Sequence, residues 1–249
     1  MRNNNTFSFM RFALLFRKDI VENRKFYLLG TLVMFGISVI VISMFGFGKI
    51  GSIVPETIDL NYDYICFSIL GFSLIFSSVV FGRMQSKAKR ISEIVLPASA
   101  LEKFMVKWLI AVVLFVAVFV FVLFCAIYVS SLIIMAVHPD APLIGVNHLG
   151  KNELITFVVA YLLMQAFYIW GGVAMPKLSF VKTSVLLFVC MLVFGIYYNV
   201  IGSFAGVLFD LYPADTYWDA RIFFCVITVM LWCLAYYRYK EETVNYKLL

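Results

Sequence analysis

Long runs of apolar residues, separated by short polar segments, dominate the pattern along this chain. A helix needs on the order of 20 consecutive apolar residues to cross a bilayer core about 30 Å thick, and six runs of this kind are nearly free of charge. None shows the period-two alternation of a barrel strand, and backbone groups in lipid must be paired, so the runs are predicted to be helices. The predicted fold is an all-α polytopic membrane protein with a single transmembrane domain over residues 1–249. The predicted spans are residues 26–48, 64–82, 108–137, 154–175, 183–209 and 222–237.

Composition supports a membrane location. Hydrophobic residues make up 63% of the 249 residues and charged residues 14%, whereas a typical soluble domain is roughly one quarter charged. The first run is too long for the core of a signal peptide and follows Asp19 and Glu22, so we expect it to be retained as an anchor. The five cysteines fall within predicted spans, where we expect small apolar side chains and not disulfides or metal ligands.

Lysine and arginine are distributed unequally between the two sides of the predicted bundle. Seventeen of the 20 lie before span one, after span six, or between spans two and three or four and five. Only Lys49, Lys151 and Arg221 lie on the opposite side. Since short basic segments stay in the cytoplasm during insertion, both termini are predicted to be cytoplasmic. The net charge of +6 then indicates contact with an anionic inner leaflet and no nucleic acid partner.

A segment with helical periodicity, residues 7–25, precedes the first span. Its charges and its aromatic residues fall on different sides of a helix, which predicts an amphipathic helix lying in the cytoplasmic headgroup layer. The alternative is a frayed tail that happens to contain phenylalanines. The charged stripe contains Arg11, Lys18, Glu22 and Lys25, and the apolar side contains Phe9, Phe12, Ala13, Phe16 and Ile20.

The predicted cytoplasmic connection over residues 83–107 carries the most organised pattern in the chain. Its first half is predicted to continue span two as an amphipathic helix, which Pro97 must end, because proline donates no amide hydrogen bond and disfavours helical geometry at Leu96. Ser99 and Glu102 then have the S-x-x-E spacing of a capping box, which predicts a new helix that runs into span three. The alternative is an ordinary solvated basic loop.

The sequence lacks motifs that several classes of membrane protein need. No ionisable residue lies between the predicted span ends, which disfavours an ion-driven carrier. No G-x-x-x-x-G-K-[ST] phosphate loop and no H-E-x-x-H zinc motif occurs, so we expect no catalysis by this chain. His138 and His148 lie in a predicted external loop without a tight ligand spacing, so we expect no metal site.

Two features of the later spans each have two interpretations. Span five contains Asn199, Gly202 and Gly206, so it either continues to Phe209 or ends near Tyr198 and is followed by a re-entrant hairpin at the outer face. Polar and aromatic side chains inside spans four and five are candidates for a substrate path, and interhelix packing is the alternative. These candidates are Tyr161, Gln165, Tyr168, Tyr197 and Asn199.

In this layout the chain resembles the permease subunits of ABC transporters, in the six-span export class often called type two. The resemblance covers nearly the whole chain, from the amphipathic helix before span one to the outer segment before span six. Its most specific part is SEIVLPASALEKF, residues 92–104. This segment is similar to the family pattern of an acidic residue, apolar residues, proline, a small residue, serine and a basic residue entering span three. Many members have Gly-Thr before the acidic residue, where this chain has Ile91 and Ser92.

The resemblance implies that residues 83–107 supply a coupling helix that docks on a separate ATP-binding subunit, which would hold ATP and Mg. It also implies a second identical or related permease chain, a bacterial cytoplasmic (inner) membrane location, and export. The absence of charge in the spans favours an amphipathic or lipid-like substrate. The alternatives are an ion-coupled carrier or channel, and a non-transporting scaffold or assembly protein. We hypothesise that the residues shaping or contacting the docking surface are Glu93, Leu96, Pro97, Ser99 and Glu102.

Overall fold

The computed structural model describes residues 7–50, 58–82, 98–139, 141–146, 150–175, 178–193 and 217–245, without the side chains of residues 217–220 and 242–245. These residues form seven helices and two short strands. Helix α4 contains a π-helical segment, Ile110–Leu114, between two α-helical parts. The elements are α1 Phe9–Glu22, α2 Arg24–Ile50, β1 Ile58–Leu60, α3 Tyr62–Gly82, α4 Ala100–Val137, β2 Ile144–Val146, α5 Lys151–Ala174, α6 Ser179–Val193 and α7 Tyr217–Asn245.

In the part of the chain that the structure describes, five helices are long and apolar enough to cross a membrane, and this part is mostly helical, as the hydropathy pattern predicts. They correspond to predicted spans one, two, three, four and six. The described part of predicted span five is the shorter apolar helix α6, and residues 194–209 lie outside the described residues. The helix of span one begins before the predicted apolar run, at Arg24, because its first turn contains two basic residues. The helix of span three begins at Ala100, where the predicted capping box places its start. The number of crossings and the side of each terminus stay predictions.

The amphipathic helix predicted before span one is present as α1. It has no buried residue, and large apolar side chains such as Phe9 are exposed, as expected of a helix whose apolar side faces lipid. Asn23 separates α1 from α2 and leaves the helical conformation. Asp19 joins the two helices, since its carboxylate accepts hydrogen bonds from the Asn23 side-chain amide at 3.1 Å and from the Tyr27 hydroxyl at 2.6 Å.

Contacts divide the chain into two compact units. The first unit comprises Met1–Ser73 and Met105–Leu154, and the second comprises Leu74–Phe104 and Ile155–Leu249. In the first unit α2 packs along the C-terminal part of α4. The two helices approach closely at Gly46, where an added Cβ would overlap the end of the Ile134 side chain. The core of this unit contains Ile42, Ile50, Ile58, Leu60, Ala126, Ile127, Ile134, Ala141 and Ile144.

A two-stranded parallel sheet packs against this core, and the hydropathy pattern does not predict it. Strand β1 follows span one and strand β2 follows span three, with Ile58 opposite Ile144. Both side chains are buried, so the sheet adds apolar area to the core. The Ser131 hydroxyl accepts a hydrogen bond from the Ile144 amide at 3.3 Å, and Lys49 donates to the Asp59 carbonyl at 3.2 Å. The pair therefore connects the two loops that are predicted to lie outside the membrane.

The second unit contains α5 from Ile155 onward, α6, α7, the last turns of α3 and the first turn of α4. Helices α5 and α6 approach each other closely at Gly171. A Cβ added at Gly171 would overlap the Thr183 hydroxyl oxygen and would lie 2.6 Å from Thr183 Cγ2 and 2.9 Å from Thr183 Cβ. Glycine is therefore required at this crossing. The Gly202 and Gly206 pair noted in the sequence lies outside the described residues.

Candidate functional site

Helix α4 begins with the capping box that the sequence predicts. The Ser99 amide donates to a carboxylate oxygen of Glu102 at 2.9 Å, and the Glu102 amide donates to the Ser99 hydroxyl at 3.2 Å. These two reciprocal bonds satisfy amide groups that have no partner inside the helix. The prediction of a helix start at this position is confirmed, because Ala100 is the first helical residue.

Glu102 is completely buried. A buried carboxylate is costly unless hydrogen bonds compensate for its lost hydration, and the Ser99 amide provides one such bond. Glu102 therefore fixes the start of α4, and its role at a docking surface stays a prediction. Ser99 is half-buried, whereas Glu93, Leu96 and Pro97 lie outside the described residues.

Four aromatic side chains hold the start of α4 against two other helices. We call Phe81, Phe104, Tyr236 and Tyr239 the aromatic cluster. Phe104 lies at its centre, with ring centroids 5.7 Å from Phe81, 5.7 Å from Tyr236 and 5.8 Å from Tyr239. The two tyrosine contacts are edge-to-face, a favourable arrangement that adds about 0.5 to 1.5 kcal/mol per pair to the burial of the rings. The cluster thus joins the end of α3, the start of α4 and the C-terminal half of α7.

The position of this cluster follows from local helix formation. Phe81 is in the last turn of α3, where the predicted connection begins, and Phe104 is in the first two turns of α4, where it ends. Residues three and four apart share one face of a helix, so Tyr236 and Tyr239 on α7 can contact the same ring. Both ends of the 83–107 connection are therefore attached to one packed group of aromatic side chains.

Three of the five candidate path residues lie in described helix α5, where all three are buried. The Gln165 amide donates to the Ser77 hydroxyl of α3 at 3.4 Å, and the Tyr168 hydroxyl is 2.7 Å from the Ser184 hydroxyl of α6. Tyr161 is also buried, with its ring 6.4 Å from that of Phe157. The contacts of Gln165 and Tyr168 connect helices within the second unit. Tyr197 and Asn199 lie outside the described residues.

Sequence reasoning missed Phe81, Tyr236 and Tyr239. Phe81 and Tyr236 lie within predicted spans, where aromatic residues are common and therefore uninformative one by one. The available signal was the i,i+3 spacing of the two tyrosines next to the basic C-terminal segment, since this places both rings on one helix face at the end of a span. Sequence reasoning also did not predict that Lys107 would be buried, although it was counted among the cytoplasmic basic residues.

The capping box gives a direct stability prediction. Ser99→Ala removes the hydroxyl that accepts from the Glu102 amide and is expected to lower the free energy of unfolding by about 1 kcal/mol. Unfolding of the purified protein in mixed micelles by a denaturing detergent measures the change. Ser8→Ala is the matched control, because Ser8 is the N-cap of α1 and its side chain makes no capping bond. An equal loss in both variants would contradict a specific role for the Ser99 cap.

Comparison with known proteins identifies no family. No family model matches the chain, and neither curated proteins nor solved structures give a match. The function must therefore be inferred from the chain's own residues. Two features carry the most weight: the helix start at Ser99 and the aromatic cluster that binds both ends of the 83–107 connection. These contacts fix the end of α3 and the start of α4, the two helix ends that flank residues 83–97.

Proposed function

We propose that the chain is the membrane-spanning permease subunit of an ATP-driven transporter of the ABC kind, powered by a separate ATP-binding subunit that docks on residues 83–107. The observation that carries the proposal is the aromatic cluster. It attaches both ends of this connection to the helices that would have to move during transport. The chain would work in a bacterial cytoplasmic membrane, paired with a second copy or a related permease chain.

The mechanical argument depends on α4. A partner that closes on ATP can move membrane helices only through an element that transmits displacement without bending. Helix α4 has 38 residues, so at 1.5 Å per residue it is about 57 Å long, longer than the hydrocarbon core of a bilayer. The capping box keeps its first turn folded, and Phe104 transfers displacement to α3 and α7. A flexible loop in place of the first turn of α4 could not transmit displacement to the membrane helices.

The buried side chains of α5 also limit where a substrate path can lie. Because Gln165 and Tyr168 hydrogen-bond to Ser77 and Ser184 within one chain, a substrate path through them would require these helices to separate. We therefore propose that the path lies between two permease chains or opens only during the transport cycle. An amphipathic or lipid-like substrate fits the apolar character of the spans.

Co-purification from the native membrane tests the proposal. The tagged chain, extracted in mild detergent, is expected to bring with it a soluble ATPase that contains a phosphate-binding loop. Glu93→Ala and Pro97→Ala are each expected to reduce the recovered ATPase by about tenfold, equivalent to about 1.4 kcal/mol of binding free energy. Quantitative mass spectrometry of the eluate measures the recovery.

Asp63→Ala is the control, since Asp63 is an exposed acidic residue in the first turn of α3, at the opposite end of that helix. It should leave ATPase recovery unchanged. Repeated preparations that contain stable partners but no ATPase would support the scaffold alternative. Flux driven by an ion gradient in liposomes that contain this chain alone would support the carrier alternative and would overturn the proposal.

A further inference from the structure

An apolar groove of about 490 Å³ lies in the second unit, between the first half of α5 and the first half of α7. Its volume is within the range of about 300 to 1,000 Å³ that is usual for small-molecule sites. Ile155 and Val159 line it on the α5 side, and Cys225 and Val229 line it on the α7 side. Cys225 and Val229 are not covered by any of the described residues, since both side chains are exposed.

Among the described residues that line this groove, one side chain is charged. Arg221 is half-buried at one end, and its guanidinium donates to the Thr156 hydroxyl at 2.9 Å. This bond connects α7 to α5 and orients the planar guanidinium beside the apolar lining. Arginine binds phosphate through paired N–H groups in a fixed geometry, so an oriented arginine favours a phosphate group over a point-like anion.

The depth of the groove matches a membrane lipid. Arg221 directly precedes the predicted apolar span of residues 222–237, which places it at the level of the headgroups. Met230, at the other end of the lining, is nine residues further along α7, about 13.5 Å at 1.5 Å per residue, or almost half of a 30 Å core. A charged group at the surface and an apolar channel towards the bilayer centre correspond to the two parts of a phospholipid.

From this arrangement we infer that the groove is a binding site for one membrane phospholipid, with its phosphate on Arg221 and an acyl chain along Cys225 and Val229. The alternative occupant is an apolar helix of a second copy of the chain. A phospholipid accounts for both the arginine at one end of the groove and the apolar lining along the rest of it. This inference does not depend on ATP-driven transport.

Lipid titration by native mass spectrometry tests the site. The purified protein, washed free of endogenous lipid in detergent, is titrated with dioleoyl phosphatidylglycerol and with dioleoylglycerol, which has the same chains without the phosphate. The first lipid is expected to bind about tenfold more tightly than the second, because a charge-assisted hydrogen bond contributes at least about this factor. Arg221→Gln is expected to remove the difference in affinity between the two lipids.

Two controls lie on the same helix. Arg238→Gln makes the same change at an exposed arginine that pairs with Glu241 near the C-terminal end of α7, and it should leave lipid binding unchanged. Cys225→Trp fills the groove and should weaken the binding of both lipids. Cys233→Trp introduces the same side chain at an exposed cysteine outside the groove and should leave the binding of both lipids unchanged. Thermal midpoints of all variants identify any that fail to fold, and Arg221→Lys retains the charge and should keep a preference for the phosphate.

Either of two results would overturn the inference. Equal binding of phosphatidylglycerol to the Arg221→Gln and wild-type proteins would mean that Arg221 does not bind the phosphate. Loss of a dimer in Cys225→Trp, with lipid binding intact, would assign the groove to a second copy of the chain.

Discussion

Phe104→Ala is expected to lower the free energy of unfolding by about 3 to 5 kcal/mol, the usual cost of removing a buried phenylalanine side chain. Phe104 is 5% exposed, and its ring contacts those of Phe81, Tyr236 and Tyr239, so the truncation leaves a cavity where three helices meet. Detergent-induced unfolding in mixed micelles measures the change. Under the proposed function, the fraction that remains folded should still bind the ATPase but should show uncoupled ATP turnover.

Phe121→Ala is the matched control for this variant. Phe121 lies on the same helix and is 69% exposed, so its truncation should change the free energy of unfolding by about 0.5 kcal/mol or less. A similar loss of stability in the two variants would show that the aromatic cluster is no more important than any other phenylalanine of α4. If ATP turnover in the folded Phe104→Ala protein were still coupled to transport, this result would contradict the mechanical role of the cluster, even with the expected loss of stability.

Gly171→Ala is expected to destabilise the protein by about 1 to 3 kcal/mol, which is typical of an overpacked helix contact. The added methyl group would overlap the Thr183 hydroxyl oxygen and lie 2.9 Å from Thr183 Cβ, so side-chain rotation alone cannot relieve the clash. Helices α5 and α6 would have to move apart, which would also stretch the 2.7 Å contact between Tyr168 and Ser184. The same unfolding assay measures the effect.

Gly36→Ala serves as the control, because nothing lies within 4 Å of a Cβ added at Gly36. It should be neutral or stabilising by up to about 1 kcal/mol, since alanine favours the helix more than glycine does. The double variant Gly171→Ala with Thr183→Ala removes the two closest Thr183 atoms and should recover more than half of the lost stability. Absence of such recovery in a double-mutant cycle would mean that the two residues do not interact as proposed.

Local sequence patterns were sufficient to predict the helices and one of their caps. The capping box of Ser99 and Glu102 joins residues three apart, so its geometry depends little on the rest of the fold. The amphipathic helix before span one was predicted for the same reason, because its two sides are defined by a period of 3.6 residues. The five long apolar helices follow from hydropathy and length.

Contacts between distant segments could not be predicted in this way. Phe104 and Tyr239 are far apart in sequence, and no local pattern distinguishes their rings from the many other aromatic side chains. Among the described residues, glycines allow close helix approaches at Gly46 and Gly171, and no local pattern distinguishes these two from the other glycines. A glycine allows a close approach, but the partner helix decides where that approach occurs.

The sequence alone determined that this chain is built for a bilayer, where its helices lie and where α4 begins. These properties depend on transfer of side chains into lipid and on hydrogen bonds between near neighbours, and both can be evaluated from short segments. Only the tertiary structure decided which aromatic residues enclose Phe104, that β1 pairs with β2, and that Arg221 lies beside an apolar groove. These features arise from packing between segments that are remote in sequence, because packing depends on the shapes of both surfaces.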